Sequence, residues 1–238
     1  MVKSSTLHSL TESSPARAKR ARRIIDILKK KYPHAAIALK FSSPWELLVA
    51  VILSAQCTDK KVNEVTETLF KKYRTLDDYV RAGGSPRGIK EFERAIHATG
   101  FYRAKAKSIL TSANLVKEKF AGKVPATMEE ILTLRGVARK TANVVLGNAY
   151  GVVEGIAVDT HVRRLAARLG LTAHHDPEKI EKDLMAILPK KDWFRTTYLL
   201  IDHGRATCTA KDPRCDLCPL AKICPSAFLF PRFQKPAK

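Results

Sequence analysis

Four of the five cysteines fall within 17 residues near the C-terminus, in the pattern Cys208-x6-Cys215-x2-Cys218-x5-Cys224. The fifth, Cys57, stands alone in an apolar stretch. One tight cluster and an odd total do not match the disulfide framework of a secreted protein. They fit a reducing compartment and a bound metal. Four thiolates can hold zinc or an iron–sulfur cluster. Zinc ribbons and fingers bring two close pairs, whereas here only Cys215 and Cys218 are closely paired. The spacing therefore favours iron–sulfur over zinc. Cys57 reads as a small buried hydrophobe.

The second constraint is charge. Against 23 acidic residues stand 43 Lys and Arg, a formal net charge of +20. This exceeds what solubility requires and implies a polyanionic partner, nucleic acid first and an anionic membrane surface second. A membrane partner calls for a basic amphipathic helix or a lipidation motif, and neither is found. No apolar run reaches the roughly 18 residues of a spanning helix. The residues before Ile24 are basic and Ser-rich and lack a secretory apolar core. Residues 1–20 are expected to form a mobile basic arm. Its Lys19-Arg20-Ala21-Arg22-Arg23 run is also compatible with a nuclear address, and its Arg and Ser content with an organelle transit peptide. Among the cysteines, Lys211, Arg214 and Lys222 suit either DNA contact or a solvated face that offsets the thiolates.

From Ile24 onward helix signals recur and strand signals do not. Ile24, Ile25, Ile27 and Leu28 form one apolar stripe, ended by Pro33. Trp45 to Cys57 is apolar nearly all round, the mark of a buried central helix. Thr58 caps a helix bearing Val62, Val65 and Leu69. Ser85-Pro86 starts another, closed by Gly100. Arg103 to Phe120 is long and amphipathic, stopped by Gly122. Thr127 and Glu130 form a capping box ahead of a helix at 128–134. Asp176-Pro177 opens a helix that Pro189 ends, and Asp192 to His203 makes the last. These signals give an all-α fold of about ten helices.

Two further motifs carry chemistry. Leu134-Arg135-Gly136-Val137-Ala138-Arg139-Lys140-Thr141-Ala142 joins two apolar helices through a short Gly-containing turn. Such a turn leaves N–H groups unpaired at the second helix's start, which together with the helix dipole suit one phosphate. A helix-hairpin-helix of this kind grips a nucleic-acid backbone without reading bases. The other reading is an ordinary tight turn. In Val158-Asp159-Thr160-His161, Asp159 precedes an amphipathic helix and is well suited as its N-cap. A carboxylate there stays charged and can also stabilise a positive transition state.

The hairpin residues, Val158-Asp159-Thr160-His161 and the four-cysteine ending, in that order, resemble the endonuclease III family of DNA glycosylase/AP lyases. Phe41-Ser42-Ser43-Pro44 and Leu53-Ser54-Ala55-Gln56 extend the similarity, which runs from about residue 24 to 224. The resemblance implies a two-domain helix-hairpin-helix glycosylase fold. A six-helix domain would span 39–152. A helical iron–sulfur cluster domain would be discontinuous, from 21–38 and 153–238, with Cys208, Cys215, Cys218 and Cys224 holding a [4Fe-4S] cluster. The implied partner is duplex DNA with damaged bases or abasic sites, met by a monomer. The implied location is the bacterial cytoplasm with the nucleoid, with a nucleus or organelle also open.

The same resemblance assigns roles. Base excision requires an extrahelical nucleotide. Gln56 would fill the vacated gap and Phe101 would wedge into the opposite strand. Arg135, Gly136, Val137, Ala138 and Arg139 would hold the DNA backbone. Lys140 would be the nucleophile at the sugar C1′, removing oxidised pyrimidines and cleaving the abasic site by β-elimination. To attack it must be neutral, which calls for desolvation or nearby positive charge. Asp159 would stabilise the sugar cation. The chain departs from the family's Leu-Pro-Gly-Val-Gly at Arg135 and Ala138. Ala138 is expected to strain the hairpin if its position needs positive φ, and Arg135 to add a phosphate contact. Three other readings stay open: an adenine-mismatch glycosylase, a non-catalytic iron–sulfur DNA-binding protein and a zinc-bound module. Lys140, and the apolar Ala50, Val51 and Ile52 where the mismatch enzymes carry a Glu, argue against the first. Lys140 and Asp159 argue against the second. His203 reads as a brace for the cysteine region, and His174 and His175 as solvated.

Overall fold

A computed structural model describes residues 12–234 of the chain. Every regular element among the described residues is helical, with eleven α-helices and four short 3-10 turns. The described residues divide into two compact units, one from 37–154 and one that joins 12–36 to 155–234.

The continuous unit is built on α2 (Pro44–Leu53). Residues Leu47 through Leu53 are all buried, as a helix apolar on every face requires. Around it stand α3 (Asp59–Lys72), α4 (Leu76–Gly83), α5 (Pro86–Ile96), α6 (Tyr102–Lys119), the single turn α7 (Met128–Ile131) and α8 (Arg139–Tyr150). Six of these seven have eight residues or more. Local chemistry sets the starts. Ser43, Thr58, Thr75, Ser85 and Thr127 each accept a first-turn N–H, satisfying donors the helix cannot. Trp45, Tyr73, Tyr79 and Phe92 pack in one aromatic group, edge-on except for the tilted Tyr73–Tyr79 pair, with ring centroids 5.2–5.7 Å apart.

The discontinuous unit comprises α1 (Ser14–Lys31), α9 (Thr160–Arg168), α10 (Pro177–Ile187), α11 (Lys190–Ala206) and a tail of 3-10 turns. Ile24, Ile25 and Leu28 of α1 share a core with Leu165, Leu184 and Leu199. Lys29 Nζ donates to Asp192 Oδ1 at 2.6 Å.

The helix at the chain's start corrects the expected arm. Residues 14–20 are helical, capped by Ser13 and with Pro15 in the first turn. Ala16, Arg17, Ala18, Lys19 and Arg20 are strong helix formers, and solvated turns need no apolar stripe. Arg20 is pinned by Glu12 at 2.6 Å and by the Leu169 carbonyl at 2.5 Å. The remainder of the arm, 1–11, lies outside the described residues. No described helix is long and apolar enough to cross a membrane.

Candidate functional site

The hairpin lies in the continuous unit. Thr127 caps α7 through the Glu130 N–H, and its hydroxyl donates to the Glu130 carboxylate at 2.8 Å. The helix stops at Ile131, three residues short of the expected end. The chain then turns through Leu134, whose carbonyl accepts from the Val137 N–H at 3.2 Å. Ser112 Oγ on α6 donates to the Arg135 carbonyl at 3.1 Å and ties the turn down.

Gly136 takes φ +80, and a β-carbon there would stand 2.8 Å from Ser108 Cβ. Only glycine meets both conditions without strain. Ala138 is extended instead, at φ −99 and ψ 171. The strain expected there is absent because the left-handed residue of the turn is Gly136 alone. As the N-cap of α8, Ala138 supplies no side-chain cap. The first turn of this 12-residue helix therefore lacks the side-chain cap that Thr127 gives α7, and its N–H groups suit an anion. Arg135, Gly136, Ala138 and Lys140 are exposed, while Val137 is buried as the turn's anchor. Lys140 is the second residue of α8.

Two other sequence-assigned residues share an uncommon backbone. Gln56 has φ 53 and Phe101 φ 48, both left-handed. Both are exposed, and Phe101 shows 66% of its surface, a large apolar side chain offered to solvent. Phe101 is also the N-cap of α6, with no side-chain cap bond.

In the discontinuous unit, Asp159 is the N-cap of α9, and its Oδ1 accepts the Val162 N–H at 2.7 Å. The four C-terminal cysteines are free thiols and line one cavity with Leu165, Leu169 and Phe230. Among the described residues no three His, Cys, Asp or Glu side chains form a single-ion site. Burial pushes the Cys224 thiol up to about 12 and raises that of Cys218.

The surrounding groups meet the needs of ionised sulfur. Arg168, which the sequence reading missed, donates to Cys208 Sγ at 3.3 Å and to the Thr209 and Ala210 carbonyls at 2.7 and 2.8 Å. Its guanidinium also lies over the Phe230 ring at 4.7 Å. His203 is buried and held neutral, its pKa lowered to about 4. Its Nε2 lies 3.5 Å from Cys218 Sγ, and its Nδ1 3.2 Å from the Tyr32 hydroxyl, the bracing place expected for it. Cys57 is half-buried against the continuous unit's core rather than fully enclosed.

Comparisons with known proteins agree with these features. Residues 49–190 match the model of the HhH-GPD superfamily of base excision DNA repair proteins. Endonuclease III of Synechocystis is 50% identical over 93% of this chain and 99% of its own length. Endonuclease III of Bacillus subtilis is 45% identical over 84% of this chain and 89% of its own. A solved structure of a trapped endonuclease III–DNA covalent intermediate is 43% identical, with a TM-score of 0.82 over 88% of this chain and 96% of that one.

Proposed function

Because the chain belongs to the endonuclease III family of HhH-GPD base-excision DNA repair proteins, we propose that it is a bifunctional DNA glycosylase and AP lyase that excises oxidised pyrimidines through Lys140. The observation that carries this is the hairpin itself. Its uncapped α8 presents N–H donors to a phosphate and, one residue further, an exposed primary amine.

The Lys140 amine would use its lone pair to form a bond to the sugar C1′ as the glycosidic bond breaks. The base leaves with the electron pair of the glycosidic bond and is protonated. The attacking nitrogen then loses a proton and its freed pair forms C1′=N as the C1′–O4′ bond breaks onto O4′, which takes up a proton, giving an iminium that acidifies the C2′ proton. Removing that proton expels the 3′ phosphate by β-elimination, and water then hydrolyses the iminium. Bound DNA would shed the water from the amine that the free protein leaves solvated. Asp159, fixed by its bond to the Val162 N–H, would place a carboxylate where positive charge develops on the sugar. Gln56 and Phe101 would fill and wedge the duplex opened by base flipping. Arg135 and Arg139 would add charge beside the gripped phosphate. The partner is duplex DNA met by a monomer, in the cytoplasm if the chain is bacterial like the relatives above.

The cysteine cavity fits a [4Fe-4S] cluster held by Cys208, Cys215, Cys218 and Cys224. Four thiols face one apolar cavity, and Arg168 sits against Cys208 as a counter-charge. Bound there, such a group would cross-link the tail. Anaerobically purified protein should carry about four irons and no zinc, and one zinc without iron would refute the assignment.

Borohydride should trap the wild type on an abasic duplex, and Lys140→Gln should abolish trapping and strand cleavage while retaining binding. Trapping by Lys140→Gln at the wild-type level would show that another amine is the nucleophile. Asp159→Asn should slow excision strongly, since an amide cannot match a carboxylate against a developing cation.

A further inference from the structure

Lys105 is a lysine that the mechanism above does not use. It lies on the first turn of α6 and is only 5% exposed. A buried ammonium is costly unless its donors are satisfied. Here two of its three N–H donors go to backbone carbonyls, one 52 residues away in the sequence and one six. Nζ donates to Leu53 O at 2.8 Å and to Thr99 O at 2.7 Å. Burial holds the group below the ordinary lysine range.

The choice of carbonyls matters. Leu53 is the last residue of α2, so its carbonyl is at the negative end of a helix, where a cation is favoured. Three residues later comes Gln56, with φ 53. Thr99 ends the 3-10 turn His97–Thr99. Two residues later comes Phe101, with φ 48, directly after Gly100 at φ 69. A left-handed backbone is unfavourable for a residue with a side chain, so each position needs restraint from its surroundings. Both loops leave from a carbonyl that Lys105 holds.

We propose that Lys105 is a positioning residue that locks the Gln56 and Phe101 loops to each other, presetting the pair that enters the duplex. The lock rests on the reading of Gln56 and Phe101 as the gap-filling and wedging residues. One cation bonded to both loop roots fixes their spacing before DNA arrives, so the ordering is not left to the flipping step. The lock would act when the stack is opened and leave the backbone grip of the hairpin untouched.

Lys105→Met keeps the aliphatic stem and removes the donors. Single-turnover excision of an oxidised pyrimidine should fall about 10–100-fold, the range for losing charge-assisted hydrogen bonds. Affinity for undamaged duplex should stay within about twofold. A duplex carrying 2-aminopurine beside a stable abasic analogue should brighten with wild type, as the reporter unstacks, and stay dim with Lys105→Met. Gln56→Ala/Phe101→Ala provides the decisive background. If Lys105 acts through the loops, Lys105→Met added to this double variant should slow excision no further. A further slowing equal to that in the wild type would mean a general structural role and overturn the proposal. Lys105→Gln, able to serve one carbonyl, gives the same cycle if Lys105→Met does not fold, and should fall between the two. Wild-type excision by Gln56→Ala/Phe101→Ala would instead remove the loop reading itself. A slow double variant beside a normal Lys105→Met would refute the lock alone.

Discussion

Replacing Gly136 by alanine tests whether the hairpin's shape rests on one glycine. Two costs follow from its geometry. At φ +80, a side chain incurs about 1–2 kcal/mol for the left-handed backbone. The new β-carbon would also lie 2.8 Å from Ser108 Cβ and 2.9 Å from its Oγ. The hydroxyl can rotate away, but the Ser108 β-carbon is fixed to α6. The turn cannot retreat without straining the bond from Ser112 to the Arg135 carbonyl. Overpacking of this kind costs about 1–3 kcal/mol. Gly136→Ala should therefore lose about 2–5 kcal/mol, read by urea unfolding followed by circular dichroism. Ser108→Gly removes both obstructing atoms at a helix-propensity cost of about 0.5 kcal/mol. In the double variant the overlap vanishes and the backbone cost stays, so the two substitutions should couple favourably by about 1–3 kcal/mol. Additivity within about 0.5 kcal/mol, or a loss below about 1 kcal/mol for Gly136→Ala alone, would refute the reasoning.

Three more outcomes follow from other parts of the structure. Tyr79 is buried and its hydroxyl makes no well-formed hydrogen bond, so Tyr79→Phe should keep or raise stability by up to about 1 kcal/mol in thermal unfolding. Burial holds the Tyr79 phenol well above its ordinary value of 10.0. Above that pH the unfolded chain ionises while the fold stays protonated, so stability falls as pH rises. Tyr79→Phe should flatten that alkaline loss, and an unchanged slope would count against the assignment. Binding to undamaged duplex should weaken steeply as salt rises, because the +20 chain displaces counterions from phosphates. Salt-independent affinity would point to a different partner. Arg168→Met leaves the Thr209 and Ala210 carbonyls without their donor. It should lower iron content and speed proteolysis beyond α11, and wild-type values for both would argue against Arg168 holding the cysteine segment.

Helix limits were legible where the chemistry that sets them is local. Ser85-Pro86 and Asp176-Pro177 mark starts that the structure keeps, because an N-cap acts within three residues. The start of α1 was not legible, since its first turns face solvent and carry no apolar pattern. Ala138 was misjudged because the sequence does not say which residue of the turn takes positive φ. The cysteines were legible from spacing alone. Gln56 and Phe101 came from resemblance, and nothing in their residue types announces a left-handed backbone. Lys105 and Arg168 were invisible for a different reason. Their acceptors lie as far as 52 and 42 residues away, and only the folded chain brings those carbonyls near.

The sharing of one core by the chain's two ends sets an order of assembly during synthesis. Lys29 and Asp192, which bond directly, are 163 residues apart. At about 5–20 residues per second, a ribosome needs about 8–33 s to make the interval. In that time 37–154 emerges whole and can close on contacts of its own. The first helix emerges before it and must wait, with Ile24, Ile25 and Leu28 uncovered and no tertiary partner to hold the helix. The earliest described helix to be translated is thus among the last to settle. A stop codon ahead of α9 would remove α9, α10 and α11, whose Leu165, Leu184 and Leu199 share its core, and leave the N-terminal helix as unsupported as the missing end.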